Sequence, residues 1–149
     1  MDLFDQISED IKAAMMAKDR VKLDALRGVK KEFLEAKTAK GADGILSDDV
    51  ANKILQKMVK QRKESAEIFA TQNRPELAAK ELEEVAFIEI YLPKQMSGEE
   101  IEAEIKSIIA EVGATGAKDM GKVMGSATKR LAGKAEGKMI SETVKRLLN

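Results

Sequence analysis

Apolar residues return every three or four positions along nearly the whole chain, in seven stretches separated by two prolines and a few glycines. That spacing is the repeat of one face of an α-helix. Only Phe4, Phe33, Phe69, Phe87 and Tyr91 are aromatic. A core so poor in rings must be assembled from Ile, Leu, Val, Met and Ala. Together with abundant Lys and Glu, this argues for packed helices and against a sheet. The predicted fold is all-α: an N-terminal four-helix, bundle-like body followed by a small three-helix C-terminal module. The boundary is placed between residues 1–95 and 96–149.

The punctuation supports this order. Asp2 is a candidate cap for a first helix over about residues 2–18, with Phe4, Ile7, Ile11 and Met15 at helical spacing. A second helix, about 20–39, turns Leu23, Leu26, Val29 and Phe33 inward before Gly41 and Gly44 open a loop. Ser47 followed by Asp48 and Asp49 caps a third, to about Thr71, with Val50, Ile54, Met58, Leu55, Val59, Ala66 and Phe69 on a wide apolar face. Pro75 suits the first position of a fourth helix, and Pro93 stops it. Ser97 and Glu100 form a capping-box pair ahead of a fifth, which Gly113 and Gly116 end. The sixth covers about 119–131 and the seventh about 138–148, each with an apolar stripe. The last module is close to the lower size limit for folding without disulfides.

There is no Cys and no His. The chain therefore has no thiolate nucleophile and no zinc–thiolate site, and it lacks the commonest general base. The acidic residues sit at the spacing of solvent-facing helix positions. No catalytic residue, cofactor or metal site is expected. The N-terminus lacks a basic, then apolar, leader, and no apolar run approaches a bilayer span, so a cytoplasmic protein without a membrane partner is expected.

Charge is distributed unevenly. The stretch 113–149 holds eight Lys and Arg against three Asp and Glu, while the rest holds 18 against 23. A neutral total thus hides a basic tail behind an acidic body, and a basic tail suits a polyanion. The candidate contacts are Lys118, Lys122, Lys129, Arg130, Lys134 and Lys138. Gly121 and Gly125 stand four apart in the sixth helix, where each costs about 1 kcal/mol relative to Ala. Close approach of a neighbouring helix is the first explanation, and close approach of nucleic-acid backbone the second. The tail has no Phe, Tyr or Trp on which single-stranded bases could stack, so shape and backbone recognition of folded RNA fits better. Gly113-Ala114-Thr115-Gly116 is read as helix capping, because no Gly-Lys-Ser/Thr follows to make a phosphate loop. Lys53, Lys57 and Lys60 share a face of the third helix, where Glu64 and Glu67 are expected to pair with Lys60 and Lys63.

Three stretches, Lys57-Met58-Val59-Lys60-Gln61-Arg62-Lys63-Glu64-Ser65, Tyr91-Leu92-Pro93-Lys94-Gln95 and Asp119-Met120-Gly121-Lys122-Val123-Met124-Gly125, resemble the YqeY family in motif and in order. The resemblance implies a helical bundle followed by a small helical module. That module is similar to the tail domain of the B subunit of the glutamine-dependent tRNA amidotransferase, which helps to hold tRNA. The implied partner is tRNA or another structured RNA, in a translation-linked role. A protein-interaction adaptor is the alternative. Membership in a glutamine-dependent carbon–nitrogen ligase complex is a further one, supported only by the shared domain. The chain lacks the amidotransferase's catalytic body, so no enzymatic activity of its own is expected.

Overall fold

The computed structural model describes residues 2–149. It is all-helical, with seven α-helices among the described residues: α1 Leu3–Met16, α2 Arg20–Thr38, α3 Asp48–Thr71, α4 Pro75–Glu89, α5 Gly98–Val112, α6 Met120–Arg130 and α7 Gly137–Leu148. A 3-10 turn, Ala117–Asp119, leads into α6. None of these helices is long and apolar enough to cross a membrane. The chain divides into two compact units, Met1–Leu92 and Pro93–Asn149.

The helix starts follow side-chain chemistry. The Asp2 carboxylate accepts from the Asp5 amide, Asp19 from Lys22 and Ser47 from Val50, each satisfying an amide that lacks a partner in the first turn. Pro75 occupies the first turn of α4, where no side-chain cap is present. Ser97 and Glu100 form the full capping box, each side chain bonding the other's backbone amide at 3.2 Å.

In the first unit, Phe33, Leu26, Ile7, Leu55 and Ile88 are completely buried and hold the four helices together. Each such burial contributes on the order of 2 kcal/mol. Two expected core positions lie outside. Met15 is about half exposed because Ala14, one position earlier, takes the inward site at the end of α1. Val50 is exposed while Ala51 is buried, which rotates the apolar face of α3 by one residue at its start.

Polar contacts also reinforce this unit. Arg62 on α3 brings Nε to 3.8 Å from the Glu84 carboxylate on α4, and its Nη1 donates to the Met58 carbonyl at 3.4 Å. Burial pushes the Glu84 carboxyl above its ordinary value, against the opposing pull of Arg62. Lys63 reaches Glu89 of α4 at 3.3 Å rather than Glu67 on its own helix. Tight packing of α3 on α4 offers it a nearer carboxylate across the interface.

Tyr91, just past α4, is buried, and its hydroxyl donates to the Asp10 carboxylate on α1. Burial and that neighbouring carboxylate push the phenol above its ordinary value, so it remains a donor. Tyr91→Phe keeps the ring and removes one hydrogen bond to a charged acceptor. It should lower the unfolding free energy by about 1.5–3 kcal/mol in urea titration of the full chain. An unchanged midpoint would mean that the bond contributes nothing net.

Candidate nucleic-acid interface

The second unit begins three residues before the boundary read from sequence. Gln95 donates to the Gly133 carbonyl at 2.8 Å, and the Met96 amide donates to the Lys134 carbonyl at 2.8 Å. These bonds fasten the entering segment to the α6–α7 turn. Ile101, Ile105 and Ile108 of α5 are fully buried against Val123 and Ala127 of α6 and against Ile140 and Val144 of α7.

Gly113 ends α5 with a left-handed backbone, φ +68°, which its missing Cβ permits. The loop that follows is used internally. The Thr115 amide donates to the Asp119 carboxylate at 2.9 Å. That bond, with a smaller contribution from the Gly116 amide, holds the Asp119 carboxyl below its ordinary value. A carboxylate of the chain itself therefore sits where a phosphate loop would hold phosphate, and the capping reading of this loop stands.

Helix α6 has two faces. Val123 and Ala127 are buried and Met120 and Met124 half-buried, while Gly121, Lys122, Gly125 and Lys129 are exposed. At about 100° per residue, Gly125 lies roughly 140° from Met120, on the solvent side. A Cβ built on Gly121 or Gly125 would meet nothing within 4 Å. Close helix packing, the first explanation for these glycines, is therefore wrong. No neighbouring helix approaches them, because α5 and α7 pack on the opposite, apolar side.

The six candidate cations separate into two kinds. Lys118, Lys122, Lys129, Lys134 and Lys138 are exposed, and none forms an ion pair within 4 Å among the described residues. Lys118 and Lys122 do contribute to the field that lowers Asp119. Arg130 differs. Its guanidinium is forked between Glu111 at 2.7 Å and Glu104 at 3.3 Å, both on α5. It clamps α6 to α5 rather than standing open to solvent with the lysines. On α7, Arg146 is drawn to Glu102 at 3.4 Å, while Lys145 is exposed and forms no ion pair within 4 Å among the described residues. Lys145 is not among the six cations read from sequence, although it shares α7 with Lys138. Its position seven residues after Lys138, two turns along α7, was the signal available.

Lys138 also stands in the first turn of α7, where the helix dipole disfavours a cation by about 0.3–1 kcal/mol. The arrangement is a surface with exposed cations and accessible backbone. Among the described residues there is no cluster of three or more His, Cys, Asp or Glu able to hold a metal ion.

Residues 4–148 match the family model described as Yqey-like protein. The chain belongs to the YqeY family. Its curated relatives include altered inheritance of mitochondria protein 41, mitochondrial, from three yeasts among others. The Kluyveromyces lactis protein is 31% identical over 109 residues, 71% of this chain and 58% of that one. The Lachancea thermotolerans protein is 30% identical over 118 residues, 75% of this chain and 60% of that one. The Meyerozyma guilliermondii protein is 40% identical over 89 residues, 58% of this chain and 44% of that one. This YqeY-family chain thus spans about three-fifths of the first two relatives or less of the third. Their names place those proteins in mitochondria, not in the cytoplasm expected for this chain.

The Arg130 fork is testable by itself. A double-mutant cycle of Arg130→Ala with Glu111→Ala should give a coupling of about 0.5–1 kcal/mol in thermal or urea unfolding. Zero coupling would return Arg130 to the set of open cations.

Proposed function

We propose that this chain binds structured RNA, tRNA foremost, through the exposed face of α6, and that it contributes no catalysis of its own. The observation that carries the reading is the pair Gly121 and Gly125. They weaken a helix of only 11 residues, no neighbour uses the space they leave, and exposed lysines stand beside them. Bare backbone flanked by cations suits a phosphodiester chain, which needs close approach and charge neutralisation. Family membership and the likeness of the module to the tRNA amidotransferase B-subunit tail support the same partner. tRNA is present in the cytoplasm and in mitochondria, so the reading holds in either compartment.

Gly121→Ala with Gly125→Ala tests it, because stability and binding should move in opposite directions. The double variant should gain up to about 2 kcal/mol in stability, since Ala is the better helix former. Its affinity for a tRNA transcript should fall at least tenfold. Separately, Lys122→Ala with Lys129→Ala should make the slope of log affinity against log salt shallower by about 2. Glycine variants that are more stable and bind tRNA as tightly as the parent would end this reading.

An adaptor role has one observation in its favour. The first unit exposes Met16, Ile90, Ile68 and Leu82, each by half or more of its surface. Recovery of a stoichiometric protein partner that survives nuclease treatment, with no tRNA binding by the purified chain, would favour it.

A further inference from the structure

Helix α4 carries apolar residues on two sides. Ala78, Val85 and Ile88 are buried. Pro75, Ala79, Leu82, Ala86 and Ile90 are all exposed, Leu82 by 51% and Ile90 by 67%. At about 100° per residue these five fall within roughly 80° of one another, centred about 110° round the helix from the buried set. Ile90 follows the last residue of α4 and keeps helical backbone, φ −62° and ψ −20°, so the stripe runs to it. From Pro75 to Ile90 it is about 22 Å long. Exposed apolar residues scattered singly are ordinary, but a continuous stripe along one helix marks a contact surface. Its borders are acidic. Glu89 lies between the stripe and the buried side, and its carboxylate meets Lys63 of α3 at 3.3 Å, so α3 lies on that border. The opposite border carries Glu76 and Glu83. Glu76 reaches Arg74 only at 4.0 Å, with both side chains well exposed. Glu83 is exposed and forms no ion pair within 4 Å among the described residues. Lys80, the one cation of α4, lies roughly 60° beyond Glu83.

We infer that this exposed stripe of α4 docks a basic amphipathic helix of a partner protein, one whose own apolar stripe is edged by Lys and Arg. The stripe advances by 4, 3, 4 and 4 residues. Steps of three and four are the spacing at which two helices pack side by side. Ala79 and Ala86, on either side of Leu82, are small enough to let a partner helix come close, and Leu82 is the large side chain at the centre of the contact. Charge then selects the partner, since flanking residues of opposite sign set which helices pair. A second copy of this chain is disfavoured in both orientations. In an antiparallel pair each border faces its own counterpart, which brings the Glu83 carboxylates of the two copies together. In a parallel pair the Glu76 and Glu83 border faces the Glu89 border. Either way glutamates meet glutamates, and like charges set face to face oppose association. The surface belongs to the first unit, and the inference stands apart from the RNA reading.

The test uses the full chain and two fluorescein-labelled synthetic helical peptides with the same Leu and Ala stripe, one flanked by Lys and Arg and the other by Glu. In fluorescence anisotropy the basic peptide should bind about tenfold more tightly than the acidic one, or better. Leu82→Ser with Ala86→Ser should weaken the basic peptide by about tenfold or more. Ile68→Ser, at an exposed position of α3, should leave it unchanged. Glu83→Lys keeps the stripe intact and should narrow the preference for the basic peptide. The affinity for a tRNA transcript should be the same in the stripe variant as in the parent, so the result reads separately from the RNA proposal. Basic-peptide binding that survives the Leu82 and Ala86 changes would be attraction to acidic surface at large, and it overturns the inference. Binding of neither peptide by the parent chain overturns it as well. So does a parent chain that sediments as a dimer and becomes monomeric on the same two substitutions, because a second copy would then cover the stripe.

Discussion

Burial of the α5 isoleucines against α6 is the contact on which the C-terminal unit depends. Helix α6 has only 11 residues, two of them glycine. Isolated helices shorter than about 12–15 residues are marginal even with favourable composition. What holds α6 helical is its apolar side, where Val123 and Ala127 are completely buried with Ile101, Ile105 and Ile108. Because one side supplies that stability, the other side is released from any packing duty and carries the two glycines without losing the helix.

Electrostatics then divides the cations. Carboxylates are concentrated on α5, and they capture the arginines that project toward them: Arg130 by Glu104 and Glu111, Arg146 by Glu102. The guanidinium fork is suited to this two-pronged bonding. The lysines of α6 and α7 point elsewhere and stay solvated. The same α5 that supplies the apolar support thereby separates structural cations from open ones. Asp119 plays a comparable internal role, occupying the amides of the preceding turn that an anion would otherwise meet.

Much of this is legible in the sequence. Caps, prolines and apolar spacing are local signals, and they placed the helix starts at Asp2, Ser47, Pro75 and Ser97 correctly. The Gly113–Gly116 loop was read correctly as capping for the same reason. The misreadings all concern which way a residue faces. Met15 and Val50 fit the periodicity but lie one position from the true inward site. Lys63 has Glu67 one turn away yet bonds Glu89 on α4. The spacing of Gly121 and Gly125 suggests packing against a neighbour that is not there. Arg130 reads as an open cation from sequence, whereas its partners lie 19 and 26 residues away in the chain.

The sequence by itself determined the all-helical class, the order of the helices and the basic character of the tail, because propensity, capping and charge are properties of neighbouring residues. Tertiary structure decided which cations are free and which glycines are bare. Those outcomes depend on distances between segments far apart in the chain, where burial of apolar side chains fixes each helix's rotation and the charges take the partners that rotation brings within reach.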